Sequence, residues 1–179
     1  SLEDLHPILQ DCLSHPDHGV RHEAAALYAA IAQAFPSEGR KFAIESLSGF
    51  NANLDAIQCL SFRVASTPTP APRMRFGRSR SNTSEHSSII TPADELLRHQ
   101  ATLHGNALAV SMLMHEFPHC HGGVATAIVS KAFEVAEKLL QCQFDDKLTK
   151  VNPTAACTCV RAGYCLMSGA LTMGIGAII

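Results

Sequence analysis

Tryptophan is absent from this 179-residue chain, tyrosine occurs only twice, and aromatic residues make up 6% of it. A core of large rings between stacked sheets is therefore disfavoured, and close packing of small aliphatic side chains is favoured. Charge is scarce too: Asp, Glu, Lys and Arg together reach 17%, with a formal net charge of −2. That balance argues against a dedicated nucleic-acid binder. No Gly-rich loop follows a strand pattern to cradle phosphate, and no turn has the form of a nucleophile elbow. A secretory leader is not visible. The seven cysteines (12, 59, 120, 142, 157, 159 and 165) are odd in number and fall mostly on apolar helical faces. Reduced thiols in a cytosolic protein are the expectation.

What is present is helical period. Leu5, Ile8, Leu9 and Cys12 or Leu13 form a short apolar stripe, with Pro7 tolerable in the first turn. A polar turn, Ser14-His15-Pro16-Asp17, then opens onto a helix with Val20 and Arg21 in its first turn and a second stripe through Ala24, Leu27, Ala30 or Ile31, and Ala34. Asp17 suits the N-cap of that helix, because its carboxylate can take an orphan amide of the first turn. Further helices are expected through Phe42, Ile44 and Leu47, and through Leu54, Ile57, Leu60 and Val64. A turn at 36–39 and a break at Asn51-Ala52-Asn53 would separate them. The expected fold class is all-α, with residues 1–65 forming helical hairpins.

Composition changes at residue 66. The segment 66–91 is rich in Pro, Ser, Thr and Arg, has little to bury, and is expected to be a disordered loop inside the helical array. It carries Arg73, Arg75, Arg78 and Arg80. Arg78 lies three before Ser81, and Arg80 three before Thr83, a spacing that suits basophilic kinases and a phosphoregulated basic loop. The alternative is a solubilising insertion.

Helices resume over 92–179. Thr91 as N-cap, Pro92 at the first helical position, and Asp94 and Glu95 in the first turn make a strong start. Gly105 and Asn106 inside this helix point to close approach of a neighbour, or to a bend. After Pro118 and the turn at 119–123, a helix through Ile128, Ala132, Val135 and Leu139 is expected. A polar connection at 145–147 follows, then a last helix opened by Asn152-Pro153. The chain begins without Met and ends in an apolar run, and is read as a piece of something longer.

Helix, short turn, then D-x-x-V-R-x-x-A over 17–24 resembles the two-helix unit of HEAT repeats. In that family the turn Asp and Arg form a ladder between neighbouring repeats, positions held here by Asp17 and Arg21. Two further motifs, ATLHGNALAV at 101–110 and RAGY-LMSGALTMG at 161–174, extend the likeness. With the HEAT unit they resemble the family of large HEAT-repeat proteins called HEAT repeat-containing protein 5 in animals. Its yeast member is the large AP-1 accessory protein and its plant member is SWEETIE. Tyr164 stands where many members have Trp, and the basic insert has no counterpart we can assign. The resemblance implies a HEAT/armadillo-like helical solenoid that binds other proteins, clathrin adaptors among them, and its own neighbouring repeats. It implies a cytoplasmic scaffold, peripheral at Golgi and endosome membranes, in traffic between the trans-Golgi network and endosomes. It brings no catalytic residue, cofactor or metal. A HEAT scaffold of nuclear transport or of a kinase complex is the alternative within the same fold.

Other readings compete. His115, His119, Cys120 and His121, with Cys157, Cys159 and Cys165, suggest zinc, but structural zinc needs two ligand pairs at definite short spacing. Residues 157 and 159 on a helix face different ways. The uncharged run 162–179 is long enough to suggest a membrane span. Gly163, Gly169, Gly174 and Gly176 fit better with close helix packing, and Gly169 and Ala170 are expected at a helix–helix contact. No span, no nucleic-acid partner and no enzyme activity are expected.

Overall fold

A computed structural model of the chain describes residues 2–66, 90–116 and 126–176. Every regular element among them is helical: α1 (Leu2–Leu13), α2 (His18–Ala34), α3 (Pro36–Ser66), α4 (Pro92–Glu116), α5 (Thr126–Gln141), a 3₁₀ turn (Cys142–Phe144), α6 (Asp146–Val151) and α7 (Pro153–Gly176). The loop residues Arg73, Arg75, Arg78, Arg80, Ser81 and Thr83 lie outside the described residues, as do His119, Cys120 and His121.

The helix starts follow their caps. Asp17 accepts the amides of Gly19 and Val20 at the head of α2. Thr91 and Asp94 form a reciprocal box at α4: the Asp94 amide donates to Thr91 Oγ1, and the Thr91 amide donates to Asp94 Oδ2. Asp145 accepts the amides of Lys147 and Leu148, and Asn152 that of Ala155, so α6 and α7 each begin on a side-chain acceptor.

Two expectations fail along α3. Pro36 is its first residue rather than part of a separate turn, since a first-turn proline loses no helical bond. Asn51–Asn53 do not break it. The Asn53 side chain donates to the i−4 carbonyl of Gly49 at 3.3 Å, a bond compatible with the helix, and its Oδ1 meets His99 Nδ1 at 3.0 Å. A continuous helix of 31 residues results. The connection at 145–147 likewise opens a short helix, α6, that buries Leu148.

Helix α4 lies in the middle and touches α2, α3 and α7; α7 also packs on α5, and α1 on α2. Burial right round α4, from Leu96, Leu103, Ala107 and Val110 to Gln100, His104 and Asn106, is what a helix surrounded by helices requires. Glycines set the spacing. A Cβ at Gly105 would lie 2.0 Å from the Leu13 carbonyl oxygen, and one at Gly169 would lie 2.8 Å from Ser111 Cα. Gly169 and the fully buried Ala170 thus sit at the α4–α7 contact. Gly163 does the same against Ala136 and Leu140 of α5. By contrast α5 is amphipathic: Ile128, Ala132, Val135 and Leu139 are buried, while Lys131 and Lys138 both grip Glu134 at 2.9 Å on its outer face.

Direction follows from paired contacts. Along α2 and α4, His18 meets His104 near one end, and Gln33 bonds Glu116 near the other. Along α4 and α7, His104 lies in the field of Arg161, and Ser111 touches Gly169. Helices α2, α4 and α7 therefore run parallel, side by side, with α1, α3 and α5 as companions against them. No helix among the described residues is long and apolar enough to cross a membrane.

Candidate functional site

The α1–α2 turn is built onto α4. Leu13 is fully buried, its carbonyl resting where Gly105 has no side chain. Thr102 on α4 donates from Oγ1 to Ser14 Oγ at 2.9 Å. Within the turn, the amide of Asp17 donates to His15 Nδ1, and Arg21 Nη1 donates to the carbonyls of His15 and Pro16 at 2.6 and 2.7 Å. Asp17 and Arg21 thus hold the turn itself. These bonds are local to the turn and the head of α2.

That docking sets exposed His18 against α4, with half-buried Arg21 one turn further along α2. The His18 ring lies 5.3 Å from that of His104 and 6.3 Å from that of His22. From the other side α7, held close by Gly169, brings Arg161. Three helices therefore converge on one recess with His18, Arg21 and His22 from α2, His104 from α4 and Arg161 from α7. His104 is 4% exposed, and its Nδ1 has no hydrogen-bond partner. The Nε of Arg21 is also buried and unpartnered.

The charges do not balance. Burial first, then Arg21, Arg161 and His18, push the His104 imidazole down to about 4, so it is neutral at pH 7. Burial and Arg161 lower Arg21 as well, against the opposing pull of Asp17. Asp17 is already committed to the α2 amides. Glu23, the other acid nearby on α2, stands 3.7 Å from His22 at the exposed edge. Arg161 is exposed and, among the described residues, forms no ion pair.

The recess was only partly readable in the sequence. Asp17 and Arg21 stand out in the turn motif, while His104 and Arg161 sit inside longer motifs and His18 carries no signal of its own. The signal available was that the turn, A-T-L-H-G and R-A-G-Y each carry one basic side chain at helical register. Only the parallel packing shows that these meet.

Other candidates carry less chemistry. No group of three His, Cys, Asp or Glu side chains among the described residues could hold a metal. Cys157 is exposed, whereas Cys159 is buried and hydrogen-bonded to Cys142; that bond and burial keep the Cys159 thiol protonated. A groove of about 540 Å³ opens between α1, α2 and α3, over the stacked rings of Tyr28 and Phe42, whose centroids are 3.9 Å apart. Comparison with family models, with curated proteins and with solved structures returns no match.

Proposed function

We propose that the chain is a section of a HEAT/armadillo-like solenoid and serves as a non-enzymatic protein-binding scaffold. The observation that carries this reading is the layer of parallel helices α2, α4 and α7, each with a companion helix packed against it. Stacked hairpins repeat in this way, each burying a face on the next, and they act through an extended surface rather than a cleft. The pathway rests on the resemblance to HEAT repeat-containing protein 5: clathrin-adaptor-dependent traffic between the trans-Golgi network and endosomes, at the cytoplasmic face of those membranes. The turn and the two motifs that carry the resemblance lie at the head of α2, on α4 and on α7, the three helices of that layer.

Affinity purification of the tagged full-length protein from cells, with identification of what accompanies it, tests the assignment. Clathrin adaptor subunits are the expected partners. Transport receptors or a kinase complex would move the scaffold to another pathway. Membrane retention that resists carbonate and depends on residues 162–179 would contradict a peripheral scaffold.

A further inference from the structure

The recess between α2, α4 and α7 has a buried floor and an exposed basic rim: His104 is buried, Arg21 is half-buried, and His18, His22 and Arg161 are exposed. Arg21 spends one nitrogen on two turn carbonyls, yet its Nε remains buried without a partner. Among the described residues exposed Arg161 forms no ion pair, and His104 presents an unpartnered Nδ1 at 4% exposure. Leaving the buried Arg21 Nε and His104 Nδ1 without partners costs stability unless something offsets it. Asp17 cannot, because its carboxylate caps α2, and Glu23 lies at the edge beside His22.

We propose that this recess is a binding site for an oxyanion, the carboxylate or phosphate of an acidic side chain on a partner peptide. Two guanidinium groups and an imidazole from three helices match a single oxyanion, with Arg able to bind it in bidentate fashion. The surroundings fit a peptide rather than a polyanion. Tyr164 lies one turn beyond Arg161 and is 61% exposed, and Leu97 lies two turns before His104 and is 61% exposed, so apolar contacts flank the charge. A nucleic acid would need a track of basic residues, whereas this cluster is one site on a chain of net charge −2. The inference rests on the scaffold reading, since it names the chemistry that one point of the scaffold surface recognises.

The test uses the chain with two fluorescein-labelled peptides of Leu, Glu and Ser, identical except that one carries a phosphoserine. Inorganic phosphate serves as competitor. Fluorescence anisotropy should show binding that weakens with salt. Arg161→Glu, at an exposed position, should weaken it about tenfold or more, while Lys147→Glu on α6 should leave it within about twofold. The peptide bound more tightly identifies the source of the oxyanion, and displacement by phosphate alone would identify a free anion as the ligand. NMR of the His104 ring gives an independent reading. An anion placed among His18, Arg21, His22, His104 and Arg161 should raise the His104 titration midpoint from about 4, with Asp17 and Glu23 unchanged in number. Equal weakening by both variants, absence of binding by either peptide, or an unmoved His104 midpoint would overturn the site. The full-length protein separates this from the broader reading: partners that co-purify equally with wild type and Arg161→Glu would end the oxyanion proposal and leave the scaffold standing.

Discussion

Replacing each packed glycine by alanine should rank the chain's helix contacts by how closely the backbones approach. A single methyl is added each time, and the helix propensity gained is similar, up to about 1 kcal/mol. What differs is the space the methyl enters. At Gly49 nothing lies within 4 Å, so Gly49→Ala should stabilise by nearly the whole propensity term. At Gly163 the methyl meets Leu140 Cγ at 3.0 Å and the Ala136 carbonyl oxygen at 3.1 Å, tight but short of a clash, and the two effects should nearly cancel. At Gly169 the methyl meets Ser111 Cα at 2.8 Å and Ser111 O at 3.0 Å, which is backbone and cannot swing aside. At Gly105 it meets the Leu13 carbonyl oxygen at 2.0 Å, with the carbonyl carbon at 2.8 Å. Relief there means moving the end of α1 by more than an ångström and disturbing the turn that holds Asp17 and Arg21. Overpacking of this kind costs about 1–3 kcal/mol. The upper figure less the propensity gain leaves a net loss of about 2 kcal/mol for Gly105→Ala. For a chain of this size that is a fall in Tm of roughly 4–8 °C, against a rise of about 2–4 °C for Gly49→Ala. Circular dichroism melts at 222 nm of the four variants supply the measurement. A Gly105→Ala variant as stable as wild type, or a Gly49→Ala variant less stable, would refute the packing of α1, α4 and α7 described above.

Asp17→Ala should cost about 1 kcal/mol by freeing the amides of Gly19 and Val20; an unchanged melt would remove the cap. The His104 imidazole titrates near 4 in the folded chain against 6.5 when free. Between those values the unfolded chain takes up a proton that the folded chain refuses. Stability is therefore full above 6.5 and falls as pH drops toward 4, by up to about 3 kcal/mol. Urea midpoints at pH 7 and pH 4.5 should differ less for His104→Gln than for wild type; equal acid sensitivity in both would contradict the buried neutral ring. Among the described cysteines, iodoacetamide should alkylate exposed Cys59 and Cys157 first and reach buried Cys142 and Cys159 only on unfolding. Early modification of Cys159, read by peptide mass spectrometry, would contradict the α5–α7 packing.

Helix type was legible wherever a periodic apolar stripe met a good cap, as at Asp17, Thr91 and Asn152. Those signals are local, and local hydrogen bonds satisfy them. The errors came where a tertiary contact changed a local preference. Asn53 reads as a breaker until His99 of α4 engages its side chain. The role of Gly105 was readable as close approach, but its neighbour was not, because Leu13 is 92 residues away along the chain. The recess was hidden for the same reason. His18, Arg21, His104 and Arg161 belong to three helices, and nothing in their spacing along the chain encodes that α2, α4 and α7 lie parallel.

Photo-crosslinking from the outer edge of that layer tests the scaffold reading most directly. A benzoylphenylalanine placed at Tyr164 of the full-length protein in cells samples the exposed surface beside Arg161, and one at Ile44, 56% exposed on the companion helix α3, samples elsewhere. Crosslinks to a clathrin adaptor subunit from position 164, reduced by Arg161→Glu and absent from position 44, are the predicted result. Crosslinks from position 44 alone, or no protein captured from either position, would contradict a partner-binding face on α2, α4 and α7.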